Sequence, residues 1–173
     1  MMTNGLLLVV LSVVLGQFPG ADLNEREIAI AELPRECAAE YDAALRDERK
    51  AVATRVCRLD LDGDGAEELL VWTGESGSGG ETWSVMTRRG GKWVRAGRVF
   101  GIPHFVDLPP HCGLLVETPC GWEAAAWEFF TLENGALAGR LKLDVRYRKP
   151  TGDRLRTRPA EIKIEEPVTE RPE

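Results

Sequence analysis

The sequence has little of what common enzyme classes require. Its 173 residues include only two histidines and four cysteines. There is no Gly-x-Ser-x-Gly nucleophile turn, no Cys-x-x-Cys pair and no His-x3–5-His pair. A serine hydrolase and a zinc site of the common spacings are therefore disfavoured. The chain also lacks a recognisable nucleic-acid-binding module, and its net charge of −6 argues against a nucleic-acid partner.

Charge is absent from the first 20 residues, which contain the apolar run GLLLVVLSVVLG. A run of this length matches the core of an export signal and is short for a membrane span. No basic residue precedes it, no clean Ala-x-Ala site follows it, and no cysteine follows it to carry a lipid anchor. We predict a signal peptide over residues 1–21 and a secreted or periplasmic location. An uncleaved membrane anchor or a buried segment are the alternatives.

The four cysteines form an even set, which in an exported chain predicts two disulfides. Order along the chain favours Cys37–Cys57 and Cys112–Cys120, although three pairings are possible. Zinc is a weak alternative, because only His111 adjoins a cysteine.

The charge is unevenly distributed along the chain. Residues 21–81 hold 16 acidic and 7 basic residues, whereas residues 140–163 hold 9 basic and 3 acidic residues. The basic stretch could attract an anionic partner. The alternation of charged and apolar residues in LKLDVRYR favours a simpler interpretation, the solvated face of a strand pair.

The pattern of apolar residues predicts a helical segment followed by a β domain. Asn24 and Glu27 resemble a capping box, Pro34 can restart a helix, and Cys37 and Tyr41 begin an apolar stripe, so a helix is expected over 24–48. The expected domains are a helical segment over 22–50 packed on a β domain over 51–165, with a disordered tail over 166–173. Strands are predicted over 53–59, 67–73, 82–88, 92–99, 103–107, 113–118, 124–132 and 136–147, with a C-terminal hairpin joining 143–149 to 154–164.

An internal repeat organises these strands. A shift of 44 residues places Trp83 on Trp127 and Thr87 on Thr131, and a shift of 45 places LLVWT at 69–73 on LLVET at 114–118. Two four-stranded units, 53–99 and 102–143, have the size of propeller blades. We therefore expect a mainly β fold with an N-terminal helix, in which antiparallel sheets form a partial propeller or a sandwich. A plain β-meander with coincidental spacing is the alternative.

The segment DLDGDGAEELLV, which begins at Asp60, carries the strongest chemical signal. Asp60, Asp62 and Asp64 alternate before Gly65, which permits a sharp turn, and hard carboxylate oxygens are the ligands that calcium prefers. Strand-like flanks and Val71 at the twelfth position exclude an EF-hand. An Asp-rich turn closed by its own hydrogen bonds is the alternative. However, five carboxylates within nine residues repel one another unless a cation is present.

This segment resembles the calcium loop of FG-GAP and VCBS-type repeats. The resemblance implies one Ca²⁺ held by the side chains of Asp60, Asp62, Asp64 and Glu68 and by the Ala66 carbonyl, in an extracellular or periplasmic setting. Magnesium is disfavoured because it rarely uses all-protein cages. The second unit reads VDLPPHCGLL, in which only Asp107 survives, so one site per chain is expected.

Other candidates for chemistry are weak. His104 and His111 have no nucleophile context, and nothing selects Glu117 and Glu123 over other acid pairs. Trp122, in the turn CGWEA, is the best candidate for an exposed aromatic contact with a protein or glycan partner. We expect an exported, non-catalytic calcium-binding module with a binding or structural role. The alternative is an exported enzyme or enzyme inhibitor that uses the 74–80 and 107–123 loops. Membrane contact is expected only through an uncleaved leader.

Overall fold

The computed structural model describes residues 10, 23, 25–41, 53–108, 111–121, 123–147 and 159–165, and it places most of them in β-strands. The nine strands form one antiparallel sheet in which the spatial order equals the chain order. The strands are β1 (Arg26–Ala29), β2 (Ala53–Leu59), β3 (Glu68–Gly77), β4 (Gly80–Arg89), β5 (Lys92–Leu108), β6 (His111–Pro119), β7 (Ala124–Glu133), β8 (Ala136–Tyr147) and β9 (Pro159–Glu165). The predicted mainly β, antiparallel fold is confirmed. Among the helices of the described residues, none has the length and apolar character that a membrane span requires.

Strand β5 is the central strand of the sheet and connects its two halves. Its residues 92–101 pair with β4, and its residues 102–108 pair with β6. The change of partner occurs at Gly101, which has a φ of 144° and whose missing Cβ would overlap the Glu117 carbonyl oxygen. We refer to β1–β4 with residues 92–101 as the first half-sheet, and to residues 102–108 with β6–β9 as the second half-sheet. The sequence pattern predicts two strands here, over 92–99 and 103–107, but β5 is continuous.

The two half-sheets share their strand register. Leu70 pairs with Val85 between β3 and β4, and Leu115 pairs with Phe129 between β6 and β7. Ladder β4–β5 shifts register between Val85 and Met86, and ladder β7–β8 shifts between Phe129 and Phe130. These paired positions differ by the same 44 or 45 residues as the sequence repeat.

Three groups of apolar side chains fill the fold. The first outer core joins one face of the first half-sheet to residues 30–41. The shared core takes side chains from both half-sheets, and the second outer core lies on the remaining face of the second half-sheet. Their main members are Leu33, Cys37, Val56, Leu69, Val71, Met86 and Trp93 in the first outer core, Cys57, Leu61, Leu70, Trp83, Val85, Val99, Leu114, Val116 and Leu132 in the shared core, and Val10, Val106, Leu115, Trp127, Phe129, Leu141, Leu143 and Val145 in the second outer core.

The predicted helix over 24–48 is wrong where the structure describes it. Arg26–Ala29 forms β1 and pairs with β2, a 3₁₀ turn covers Ile30–Glu32, and helix α1 covers only Arg35–Ala38. Pairing with the otherwise open edge of β2 satisfies backbone groups on both strands, which local helix signals do not report. Pro34 starts α1 as expected, and residues 42–50 lie outside the described part.

The structure does not support the predicted disulfides, because it places no two of the four cysteines within bonding distance. Neighbouring side chains on a strand point to opposite faces. Val56 therefore joins Cys37 in the first outer core, while Cys57 points into the shared core. Cys112 lies on β6 and Cys120 directly follows it. Eight residues of extended strand span roughly 26 Å, far beyond disulfide reach.

Most predicted turns are confirmed. Gly90 and Gly91 close the β4–β5 hairpin with positive φ, as do Asn134 and Gly135 in the β7–β8 hairpin. The segment 74–80 is not a loose loop, because β3 and β4 continue until Gly77 pairs with Gly80. β8 pairs with β9 as the expected C-terminal hairpin. Residues 148–158, the predicted tail over 166–173 and the predicted leader except Val10 lie outside the described residues.

Candidate metal centre

The acidic segment forms the connection between β2 and β3. Leu59, the last residue of β2, pairs with Glu68, the first residue of β3. The eight residues 60–67 between them are mostly exposed, but Leu61 is buried in the shared core. One apolar side chain therefore anchors an otherwise polar loop to the body of the domain.

The aspartates fold the loop by accepting hydrogen bonds from its backbone. Asp60 accepts from the N–H groups of Gly63 at 2.9 Å and Gly65 at 3.0 Å. Asp62 accepts from Asp64 at 3.2 Å, and Asp64 accepts from Ala66 at 2.7 Å. The two glycines have φ of 75° and 86°, conformations that side chains disfavour. The predicted turn geometry is thus present, and these Asx-type bonds are also those of the metal-free alternative.

Glu68 is the buried member of the group, with 4% of its surface exposed. Its carboxylate accepts one hydrogen bond from the Leu61 N–H at 3.0 Å and one from the Thr87 hydroxyl at 3.0 Å. Burial raises the pKa of the Glu68 carboxyl above its ordinary value, and the nearby acidic charges act in the same direction, against these two hydrogen bonds. The carboxylate is therefore fixed in orientation at an electrostatic cost that a cation would relieve.

Three of the predicted side-chain ligands converge. One carboxylate oxygen from each of Asp60, Asp62 and Glu68 lies within 4.8 Å of the other two. Among the described residues, these three side chains are the group whose arrangement could hold a metal ion. Asp64 is not a member, and its carboxylate instead accepts from Ala66 on the exposed side of the loop. Burial, together with the charges of Asp64 and Asp60, raises the pKa of Asp62 against its hydrogen bond from the Asp64 backbone.

Thr87 reaches the site from β4 and is not among the residues predicted from the sequence. The repeat alignment marked this position by pairing Thr87 with Thr131, but it did not reveal a role. Thr131 instead donates to Glu133 at 3.0 Å and accepts from Arg140 at 3.1 Å. Thr87 lies on β4, which pairs with β3, the strand that begins at Glu68. A hydroxyl residue on the strand beside a predicted acidic ligand is the sequence signal that could have identified it.

The second half-sheet has no room for the same ligand. The strand pair of Leu59 and Glu68 corresponds to Val106 and Gly113, and a Cβ on Gly113 would overlap the Phe130 carbonyl oxygen. The surviving Asp107 lies 3.7 Å from the thiol of Cys112. An added Cβ on Gly63 would lie 3.7 Å from that same thiol, so the acidic loop lies against the second hairpin.

The other candidates do not join the acidic group. His104 stacks on Trp127 with ring centroids 5.5 Å apart. Glu117 is buried on β6, whereas Glu123 is exposed. Trp122 and the side chain of His111 lie outside the described residues, so the partner-contact prediction for Trp122 stays a prediction.

The basic stretch forms a strand face as far as it is described. Leu141, Leu143 and Val145 are buried, and the charged residues between them point away from the second outer core. Arg140 pairs with Glu133, and Lys142 pairs with Glu165 at 3.2 Å. Acidic neighbours thus balance part of the positive charge, which favours the solvated-face interpretation for residues 140–147.

Comparison with known proteins gives no match to this chain. No family model, curated protein or solved structure matches the chain. The resemblance to FG-GAP and VCBS-type repeats therefore rests on the residues of the acidic loop and on the repeat within this chain.

Proposed function

We propose that this chain is an exported, non-catalytic calcium-binding β module with a structural or binding role in the envelope or extracellular space. The observation that carries the proposal is the convergence of Asp60, Asp62 and Glu68. Two of these carboxylates come from an exposed loop and the third from a buried strand end. A cation at this point would join the loop to the sheet and neutralise their mutual repulsion.

Calcium suits this site better than magnesium. Calcium accepts six to eight oxygens in irregular geometry, whereas magnesium demands a near-ideal octahedron and retains several waters. We infer that Asp64, the Ala66 carbonyl and water complete the ligand set around the three converging carboxylates. Both positive-φ glycines support this inference, because the loop can turn tightly around a point without side-chain clashes.

The metal is proposed as a brace within a duplicated fold. The shared register at Leu70–Val85 and Leu115–Phe129, and the matching register shifts after Val85 and Phe129, support two blade-like units stacked in the same orientation. Under the repeat, the face of the first unit that lies in the shared core corresponds to the second outer core. The second unit closes the equivalent corner with a short connection, so the calcium loop stabilises rather than catalyses.

A binding role draws support from two exposed apolar side chains. Phe100 and Ile102 are 45% and 44% exposed where β5 passes between the half-sheets. Phe100 lies beside the β3–β4 hairpin, where Gly77 and Gly79 leave space for its ring. We propose this region as the contact with an unnamed protein or glycan.

Calorimetric titration of the chelator-treated chain with CaCl₂ tests the metal proposal. We expect binding at one site, and a melting temperature that rises with calcium, because a ligand selective for the folded state stabilises it by about 2.7 kcal/mol at 100 times Kd. Asp60→Asn and Glu68→Gln should each weaken binding. Asp107→Asn is the matched control, since it changes the aspartate that the second hairpin retains.

The Asp107→Asn control shows whether weaker calcium binding is specific to the acidic loop or follows the loss of any nearby negative charge. The proposal fails if the wild-type chain gives no binding heat and chelation leaves its melting temperature unchanged. It also fails if Asp107→Asn weakens calcium binding as much as Asp60→Asn. Titration with MgCl₂ under the same conditions should give weaker binding.

A further inference from the structure

A cleft of about 370 Å³ lies where β5 passes from the first half-sheet to the second. Leu23, Ile102 and Pro103 give it an apolar wall, and Ile102 is 44% exposed. Glu25 and Glu81 add two carboxylates. An apolar cavity with a few placed polar groups is the usual form of a binding site. All five residues follow the leader predicted over 1–21, so the cleft does not depend on whether that leader is cleaved.

Arg55 holds both carboxylates of the cleft in place. Its guanidinium contacts Glu25 at 3.1 Å and Glu81 at 2.5 Å. The same guanidinium lies over the rings of Trp72 at 4.7 Å and Trp83 at 5.1 Å, which fixes its own position. Among the described residues, no other hydrogen bond or ion pair reaches either carboxylate. Two carboxylates against one guanidinium therefore leave the cleft with a net negative charge.

We propose that this cleft receives a lysine side chain of a partner protein, with the ammonium group against Glu25 and Glu81 and the aliphatic stem along Ile102 and Pro103. A lysine stem packs on apolar surface while its charged head stays among polar groups. The ammonium group offers three donors, and each carboxylate oxygen accepts more than one hydrogen bond. Because Arg55 already orders the two carboxylates, binding a lysine costs little further side-chain entropy.

The exposed part of Ile102 favours a protein partner over a free amine. An apolar residue beside the lysine in a partner chain can cover this side chain, whereas a simple amine leaves it in water. The inference rests on the binding role proposed above and names the chemistry of the partner. It is independent of calcium, because the residues that line the cleft are not those of the acidic group.

Fluorescence polarisation with two labelled heptapeptides tests the cleft in the full chain. The Lys peptide is Gly-Ser-Leu-Lys-Leu-Ser-Gly with blocked ends, and the Gln peptide differs only by glutamine in place of lysine. Glu25→Gln and Glu81→Gln each remove a negative charge, and Ile102→Ser removes apolar surface. Glu128→Gln is the matched control, since this exposed glutamate of β7 lies outside the cleft. Glu25 and Ile102 are 37% and 44% exposed, so their variants should fold, and melting temperatures check all four.

The Lys peptide should bind about fivefold more tightly than the Gln peptide, and each cleft variant should weaken its binding by a similar factor. Glu128→Gln should bind like the wild type.

The proposal is overturned if the two peptides bind equally, or if Glu128→Gln weakens binding as much as Glu25→Gln. It is also overturned if an N-acetylglucosamine hexamer binds in an Ile102-dependent way and the Lys peptide does not. That result would keep the binding role and make the partner a glycan. A wild-type dimer that Ile102→Ser dissociates would likewise overturn it, because a second copy would then cover the cleft. Each titration is run with CaCl₂ and with chelator, so failure of the metal proposal would leave this result interpretable.

Discussion

Leu59 pairs with Glu68 in the first half-sheet, and Val106 pairs with Gly113 at the corresponding place in the second. From the first pair the chain runs through eight residues rich in aspartate. From the second pair the strands continue until Leu108 meets His111, and only two prolines lie between them. The same sheet corner can thus be closed with or without an acidic loop. The loop is an elaboration of the corner, which supports the proposal that a metal bound there would brace the fold.

The largest expected difference between the half-sheets concerns their corresponding tryptophans. Trp83 is 1% exposed in the shared core, and Trp127 is 6% exposed in the second outer core. Trp83→Ala should cost about 5 kcal/mol and Trp127→Ala about 3 kcal/mol of unfolding free energy. A cavity between the two half-sheets collapses less easily than one bordered by the partly buried Tyr147 and Ile162. Urea denaturation measures both, and a larger loss for Trp127→Ala would break the assignment of the shared core as the centre of the fold.

The glycine that replaces the buried glutamate gives the next largest effect. Gly113→Ala should destabilise the chain by about 2 kcal/mol, because the new Cβ overlaps the Phe130 carbonyl and approaches Phe129 to 2.7 Å. Gly139→Ala is the matched control, since its Cβ would make ordinary contacts with Phe130 at 3.8 Å. Thermal denaturation of the two variants should separate them. Equal stability would mean that space does not exclude a ligand from the second corner.

The corresponding threonines Thr87 and Thr131 provide a further test of the difference between the two half-sheets. Thr87→Val removes the hydroxyl that orients buried Glu68 and should cost about 1.5 kcal/mol. It should also weaken calcium binding in the titration described above. Thr131→Val breaks hydrogen bonds to Glu133 and Arg140 at a more exposed position and should cost about 0.5 kcal/mol without affecting calcium. Unchanged calcium affinity in Thr87→Val would remove this residue from the proposed site.

The smallest expected effect concerns Glu40, which fastens the segment over the first outer core to the sheet. Glu40 accepts hydrogen bonds from Ser84 at 2.8 Å, Arg95 at 3.0 Å and Arg98 at 3.2 Å. Burial by itself would raise the pKa of Glu40, but these hydrogen bonds outweigh it and hold the pKa below its ordinary value of 4.5. The carboxylate therefore stabilises the fold above pH 4.5, and this contribution is lost as the pH falls through the lowered pKa.

Glu40→Gln should consequently be less stable than wild type by about 1 kcal/mol at pH 7, and this difference should shrink towards pH 3. Urea denaturation at the two pH values measures the change. Glu36→Gln, at an exposed position on the nearby helix α1, is the control. A difference that is independent of pH would show that the ion pairs do not fasten this segment to the sheet.

Local patterns in the sequence predicted the strands and the acidic loop well, since both depend on neighbouring residues. Alternating apolar residues predicted strands β2–β8, and the pairs Gly90–Gly91 and Asn134–Gly135 predicted two hairpins. The helix and disulfide predictions failed because they depend on which face or edge a residue meets. Cys37 and Cys57 are separated by the sheet itself, and β1 forms only because β2 offers an open edge. Thr87 and Gly113 act through strands distant in the sequence, so their roles appear only in the structure.

Because the spatial order of the nine strands equals their chain order, each ladder joins segments that are neighbours in the chain. Closing short loops costs little entropy, and β proteins with many non-local pairings fold slowly for the opposite reason. The tight hairpins at Gly90–Gly91 and Asn134–Gly135 can each form before the rest of the sheet exists. A chain built in this way can add strands one at a time as it is synthesised, with each new strand finding its partner already in place.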